Sequence, residues 1–202
     1  MNNDLIVNST VVHRPVTVYQ GEKDFIENHV LGPHFQWFWQ EQQTLNDEET
    51  VKNNLPEGLL PYTDFYNGPF LSHVLLHRQE EEDNPKKLIS THFEFFMEIF
   101  HRFMMENNLT YTKLYRANLN LTWHNGTKHT APHLDHDWPH NNFIMYLTPC
   151  EQGHTLVWPD DFSTTYMLPC VQYTAATFKA HWHAHRYPEP KAKRLVFVVT
   201  YI

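Results

Sequence analysis

In the stretch STHFEFFMEIFHRFMMENN, residues 90–108, the apolar side chains Phe93, Phe96, Met97, Phe100, Phe103 and Met104 fall at i, i+3, i+4, i+7, i+10 and i+11. That spacing gathers them on one stripe, so it predicts an amphipathic helix over 90–107, capped by Ser90 and packed outside a sheet. Beyond Asn108 the period changes. Segments 111–123 (YTKLYRANLNLTW), 142–148 (NFIMYLT), 155–158 (TLVW), 174–178 (TAATF) and 194–202 (RLVFVVTYI) are short and rich in β-branched and aromatic residues. Joined by Pro- and Gly-containing turns, they predict the antiparallel strands of a sandwich or barrel.

The first third reads as mixed structure. Segment 10–19 has strand composition broken by Pro15, the run from Glu22 predicts a short helix ending at Gly32, and FQWFWQ (35–40) predicts a core aromatic cluster. Residues 45–69, with Pro56, Pro61 and Pro69, read as loop, FLSHVLLHR (70–78) as a strand, and EEEDNPKK (80–87) as a solvated turn. No internal repeat or linker divides the 202 residues, a length that fits one domain.

Composition narrows the function classes. A formal net charge of −8 disfavours a groove that tracks phosphates, so nucleic acid is not an expected partner. With only Cys150 and Cys170, neither a disulfide framework nor a cysteine-based zinc site is available, and a reduced, cytoplasmic setting is the expectation. The start MNNDLIVNSTVVHRP has no basic region followed by an apolar run, and no stretch of 18 apolar residues occurs, so no membrane is expected.

Histidine is the departure, with 16 copies concentrated in the C-terminal half. In PHLDHDWPH (132–140), His133 and Asp135 stand at i and i+2 and would share one face of a strand, which lets both reach a single cation. The same H-x-E spacing at His92 and Glu94 falls inside the predicted helix, where i and i+2 diverge. A third ligand is offered by the alternating His181, His183 and His185. Two imidazoles and one carboxylate with open positions form the facial triad of non-haem ferrous oxygenases; hydrogen-bonded histidines without a metal are the competing reading. Arg194 opens the last predicted strand on the face shared with Val196, Val198 and Thr200, where a guanidinium needs a partner and its fork suits a carboxylate.

The order P-H-x-D, an apolar strand (NFIMYLT), Gly153-His154-Thr155-Leu156, F-x4-H and then an arginine resembles the iron(II)/2-oxoglutarate-dependent dioxygenases, and within them the prolyl-4-hydroxylase-like group of small phage and bacterial proteins. The resemblance covers 111–202. It implies a mainly β chain with flanking helices, in which a double-stranded β-helix (jelly roll) core at 110–202 is supported by helical and mixed structure at 1–109. It also implies that His133, Asp135 and His183 bind Fe(II), with His185 and His181 as alternatives for the last, and that Arg194 holds the far carboxylate of 2-oxoglutarate. Trp123 stands where the group often places a cosubstrate-side tyrosine, and His136, Asp137 and His140 read as groups around the metal or at the mouth. The implied reaction uses O2 to hydroxylate a peptidyl proline or a small molecule, releasing succinate and carbon dioxide. Two other classes compete with it: a cupin-like zinc or manganese isomerase or hydrolase, and a non-enzymatic β-sandwich interaction module.

Overall fold

A computed structural model describes residues 6–7, 11–44, 47–77, 90–126 and 129–202. Its elements are β1 (Ile6–Val7), β2 (Val11–Pro15), α1 (Gln20–Phe25, continued by a π-helical turn to Val30), β3 (Phe38–Gln40), α2 (Glu48–Asn54), a 3-10 helix (Glu57–Tyr62) and β4 (Phe70–Leu76). There follow α3 (Phe93–Glu106), β5 (Leu114–Trp123), β6 (Asn141–Tyr146), β7 (Thr155–Trp158), β8 (Tyr166–Leu168), β9 (Thr174–Lys179), β10 (Trp182–His185) and β11 (Lys193–Tyr201).

Two antiparallel sheets face each other. The larger has eight strands in the order β1-β2-β9-β6-β11-β5-β4-β3, and the smaller runs β10-β7-β8. Backbone bonds between His133 and His183, at 2.9 and 3.0 Å, attach the segment around His133 to the free edge of β10. The interleaved return of successive strands between the two sheets makes a jelly roll, the double-stranded β-helix expected from the sequence. The N-terminal half does more than support it, because β1 and β2 extend one edge of the large sheet and β3 and β4 the other.

Strand alternation decides what each sheet face carries. Leu195, Phe197, Val199 and Tyr201 of β11 turn outward and meet α3, where Phe96 packs on Phe197 with ring centroids 5.2 Å apart and Phe100 on Phe143 at 5.1 Å. Burying each of these rings contributes roughly 1.5–3 kcal/mol, which holds α3 against the outer face as its stripe predicts. Arg194, Val196, Val198 and Thr200 turn inward, toward the space between the sheets. At the other end of the helix the structure departs from the sequence reading. Ser90 lies two residues before the N-cap His92, and its hydroxyl accepts the His92 N–H and bonds His73 Nε2.

The N-terminal departures have local causes. Residues 45–69 are not all loop: Asp47 caps α2 by accepting the Thr50 N–H at 2.8 Å, a capping signal that the surrounding prolines obscure. Helix α1 begins at Gln20 rather than Glu22 because the Glu22 carboxylate reaches back to the Tyr19 N–H at 2.7 Å and also pairs with Arg102 of α3. FQWFWQ is only partly core. Phe35 is buried, but Phe38 and Trp39, on the edge strand β3, are 45% and 59% exposed. The EEEDNPKK turn lies outside the described residues. Among the described residues, no helix is long and apolar enough to cross a membrane.

His13 of β2 is fully buried beside Tyr146, with Nε2 3.1 Å from Thr174 Oγ1 and no partner for Nδ1 among the described residues. Burial lowers its pKa to about 4. The folded state therefore favours the neutral ring, and the stability linked to it is complete above pH 6.5 and is lost as the pH falls toward 4. Over that window the wild type should lose about 3 kcal/mol more than a His13→Gln variant in denaturant titrations.

Candidate functional site

Between the sheets lies a cavity of about 430 Å³, walled by inward side chains of β5, β6, β10 and β11 and by residues 132–137. His133, Asp135 and His183 converge on it, with one donor atom from each lying within 4.8 Å of the others. They arrive by different routes. His183 sits on β10 opposite Val157, facing inward. His133 is held beside it by the two backbone bonds, and the rings lie 4.4 Å apart. Asp135 is not on a strand, as i, i+2 geometry had suggested, but in a bend that returns its carboxylate to within 3.6 Å of His183 Nε2.

The donor set fits a metal ion in its protonation as well as its position. His133 Nδ1 lies 2.9 Å from the Ala131 carbonyl and His183 Nδ1 lies 3.0 Å from the His181 carbonyl. A carbonyl only accepts, so each ring carries its proton on Nδ1 and presents the Nε2 lone pair. Burial, reinforced by the nearby His133, lowers the His183 pKa to about 4 and keeps that ring neutral. The carboxylate is oriented too: Arg116 of β5 donates from Nη2 to Asp135 Oδ1, in an ion pair whose two side chains are 15% and 8% exposed. Sequence reasoning missed Arg116, since nothing in its local pattern links position 116 to 135.

Arg194 is buried in the same cavity. Its Nε donates to the Gly153 carbonyl at 2.9 Å, its Nη2 donates to Thr155 Oγ1 at 2.8 Å, and its guanidinium stands 5.5 Å over the Tyr146 ring. Tyr146 in turn donates to Thr155 Oγ1 at 2.7 Å. These contacts pin the fork on one side and leave Nη1 for a ligand. Gly153 is required by close approach: a Cβ there would lie 2.3 Å from Cys150 Sγ and 3.1 Å from Arg194 Cδ. The Gly-His-Thr motif thus supplies both the clearance and two acceptors for the arginine.

The remaining sequence candidates divide. His185 lines the cavity but is not among the three converging donors, and His181 Nδ1 instead bonds Asp160 at 3.1 Å. Trp123 does not reach the cavity. Strand alternation sends it to the opposite face of β5 from Asn118, Asn120 and Thr122, where it packs on Trp39 at 5.9 Å. A tyrosine-like cosubstrate contact from position 123 is thereby corrected; the inward neighbour is Thr122. His136 and Asp137 line the cavity, with His136 stacked on Trp138 at 4.3 Å, while His140 turns away and bonds the Trp138 carbonyl.

Around this cavity buried polar atoms that include Arg116 Nε, Asn120 Oδ1, Asn142 Nδ2 and His185 Nε2 have no hydrogen-bond partner among the described residues. Such atoms are rare in folded proteins, and their concentration on one cavity marks it as a place for a polar ligand.

No protein-family model matches the chain, and no curated protein matches it in sequence. Solved structures do resemble it. An oxidoreductase of the 2OG-Fe(II) oxygenase family from Burkholderia pseudomallei superposes with a TM-score of 0.56 at 13% identity, covering 76% of each chain. The non-heme alpha ketoglutarate dependent epimerase SnoN from nogalamycin biosynthesis gives 0.56 at 14% identity, covering 96% of this chain and 77% of that one. A Pseudomonas putida prolyl-4-hydroxylase gives 0.42 at 12% identity, covering 90% and 96%. The fold is the one found in 2OG-Fe(II) oxygenases.

Proposed function

We propose that the protein is an iron(II)- and 2-oxoglutarate-dependent dioxygenase that hydroxylates a small molecule or a peptide. The observation that carries this reading is the presence, in one buried cavity, of an open His-Asp-His donor set and a separately pinned arginine. A cupin-like zinc or manganese site would use the first and have no task for the second. An interaction module would need neither.

Bound at this site, ferrous iron and 2-oxoglutarate would supply the activation of O2, with the cosubstrate leaving as succinate and carbon dioxide and one oxygen atom passing to the substrate. The chain's own share is position and environment. His133 and His183 offer neutral Nε2 atoms, and Asp135 offers the single negative charge of the set, directed by Arg116. Arg194 takes the far carboxylate of 2-oxoglutarate through the part of its fork that Gly153 and Thr155 leave free. Ile144, Val196 and Val198 supply apolar wall, which excludes water and strengthens each charged contact.

The test separates metal from cosubstrate. Manganese(II) alone should raise the melting temperature, and 2-oxoglutarate or N-oxalylglycine added with it should raise it further, because each binds only the folded protein. Under anaerobic conditions ferrous iron plus 2-oxoglutarate should give a weak visible charge-transfer band. With no band and no added stabilisation from either cosubstrate ligand, the dioxygenase reading falls and the zinc or manganese one replaces it.

A further inference from the structure

His185 follows His183 by two residues on the inner face of β10, a step of about 7 Å along the strand. Its position is fixed on both sides. Across one edge it pairs with Thr155, whose hydroxyl accepts from Arg194. Across the other, Thr130 donates its N–H to the His185 carbonyl at 2.8 Å and accepts the His185 N–H on Oγ1 at 3.0 Å. The imidazole therefore stands between the donor set and the pinned guanidinium.

An imidazole, neutral or protonated, has at least one N–H to donate. The Nε2 atom is buried, and no described residue bonds it. A ligand running from the metal donors to Arg194 passes this ring, and 2-oxoglutarate, with two carboxylates and a keto group, can only accept hydrogen bonds. On the dioxygenase reading, we infer that His185 is a second cosubstrate-positioning residue, donating Nε2–H to 2-oxoglutarate between the metal and Arg194. It then shares with Arg194 the task of fixing the cosubstrate, and it is the inner-wall position of β10 at which an apolar side chain would leave a carboxylate oxygen or the keto oxygen without a donor.

The experiment uses the whole chain loaded with manganese(II), which supports binding without turnover. Titration with 2-oxoglutarate, followed by calorimetry or melting temperature, should show His185→Leu binding about 10- to 100-fold more weakly than wild type, the range for a lost hydrogen bond to a charged acceptor. His185→Gln, which keeps an N–H, should stay within about fivefold, and both should bind manganese(II) as wild type does. His185→Met carries the same comparison if the leucine variant does not fold. The inference is overturned if the apolar variants bind 2-oxoglutarate within threefold of wild type, if glutamine falls as far as leucine, or if manganese(II) binding is lost, which would make His185 a metal ligand. Failure of the wild type itself to bind 2-oxoglutarate would instead overturn the dioxygenase reading and this inference with it.

Discussion

Asp135→Asn should abolish metal-dependent turnover and weaken manganese(II) binding by at least about 100-fold, while the fold survives. Asp135 is the only acid among the three converging donors, and a carboxamide of the same shape offers a neutral oxygen in its place. Arg116 is the reason for choosing Asn. Removing the carboxylate altogether with Asp135→Ala strands a largely buried guanidinium, a change that costs about 3–5 kcal/mol of stability. The double variant Asp135→Ala, Arg116→Met removes both charges and should recover most of the melting temperature without recovering metal binding. If recovered stability brought metal affinity back with it, Asp135 would be a structural partner of Arg116 and not a ligand.

Arg194→Met should leave metal binding in place and weaken 2-oxoglutarate by about 100- to 1000-fold, as expected for a desolvated charge-assisted contact worth roughly 3–4 kcal/mol. Methionine keeps the stem that lies beside Gly153 but releases the Gly153 carbonyl and the Thr155 hydroxyl, so a modest loss of stability accompanies the loss of binding. Arg194→Lys should fall between the two proteins, because a point charge replaces the fork. Unchanged 2-oxoglutarate affinity in Arg194→Met, measured on manganese-loaded protein, would remove the strongest support for the dioxygenase reading and favour a cupin-like metal protein.

The parts of the site that were legible in the sequence are those whose spacing acts within one element. His133 and Asp135 stand two apart, Arg194 alternates with valines, and Gly153-His154-Thr155 is a contiguous motif, so each could be singled out before any contact was known. The choice among His181, His183 and His185 could not be made that way. All three alternate on the same side of the chain, and only the pairing of His133 with His183, a contact across 50 positions of sequence, selects one of them. Arg116 was invisible for the same reason. Trp123 was misplaced because distance along the chain from His133 says nothing about which face of β5 a residue occupies.

By itself the sequence determined the periods: the apolar stripe of α3, the alternation of β5, β6, β9 and β11, and the identity of side chains able to bind a cation or a carboxylate. These follow from local backbone geometry, which repeats every 3.6 or 2 residues whatever surrounds it. The tertiary structure alone decided which strands became neighbours, and with them which imidazole joins Asp135, which arginine orients it and which is buried in the cavity beside them. That information resides in strand register, where a slip of one residue turns every side chain to the opposite face. It is set by how all the strands and α3 bury their apolar faces together, not by any segment alone.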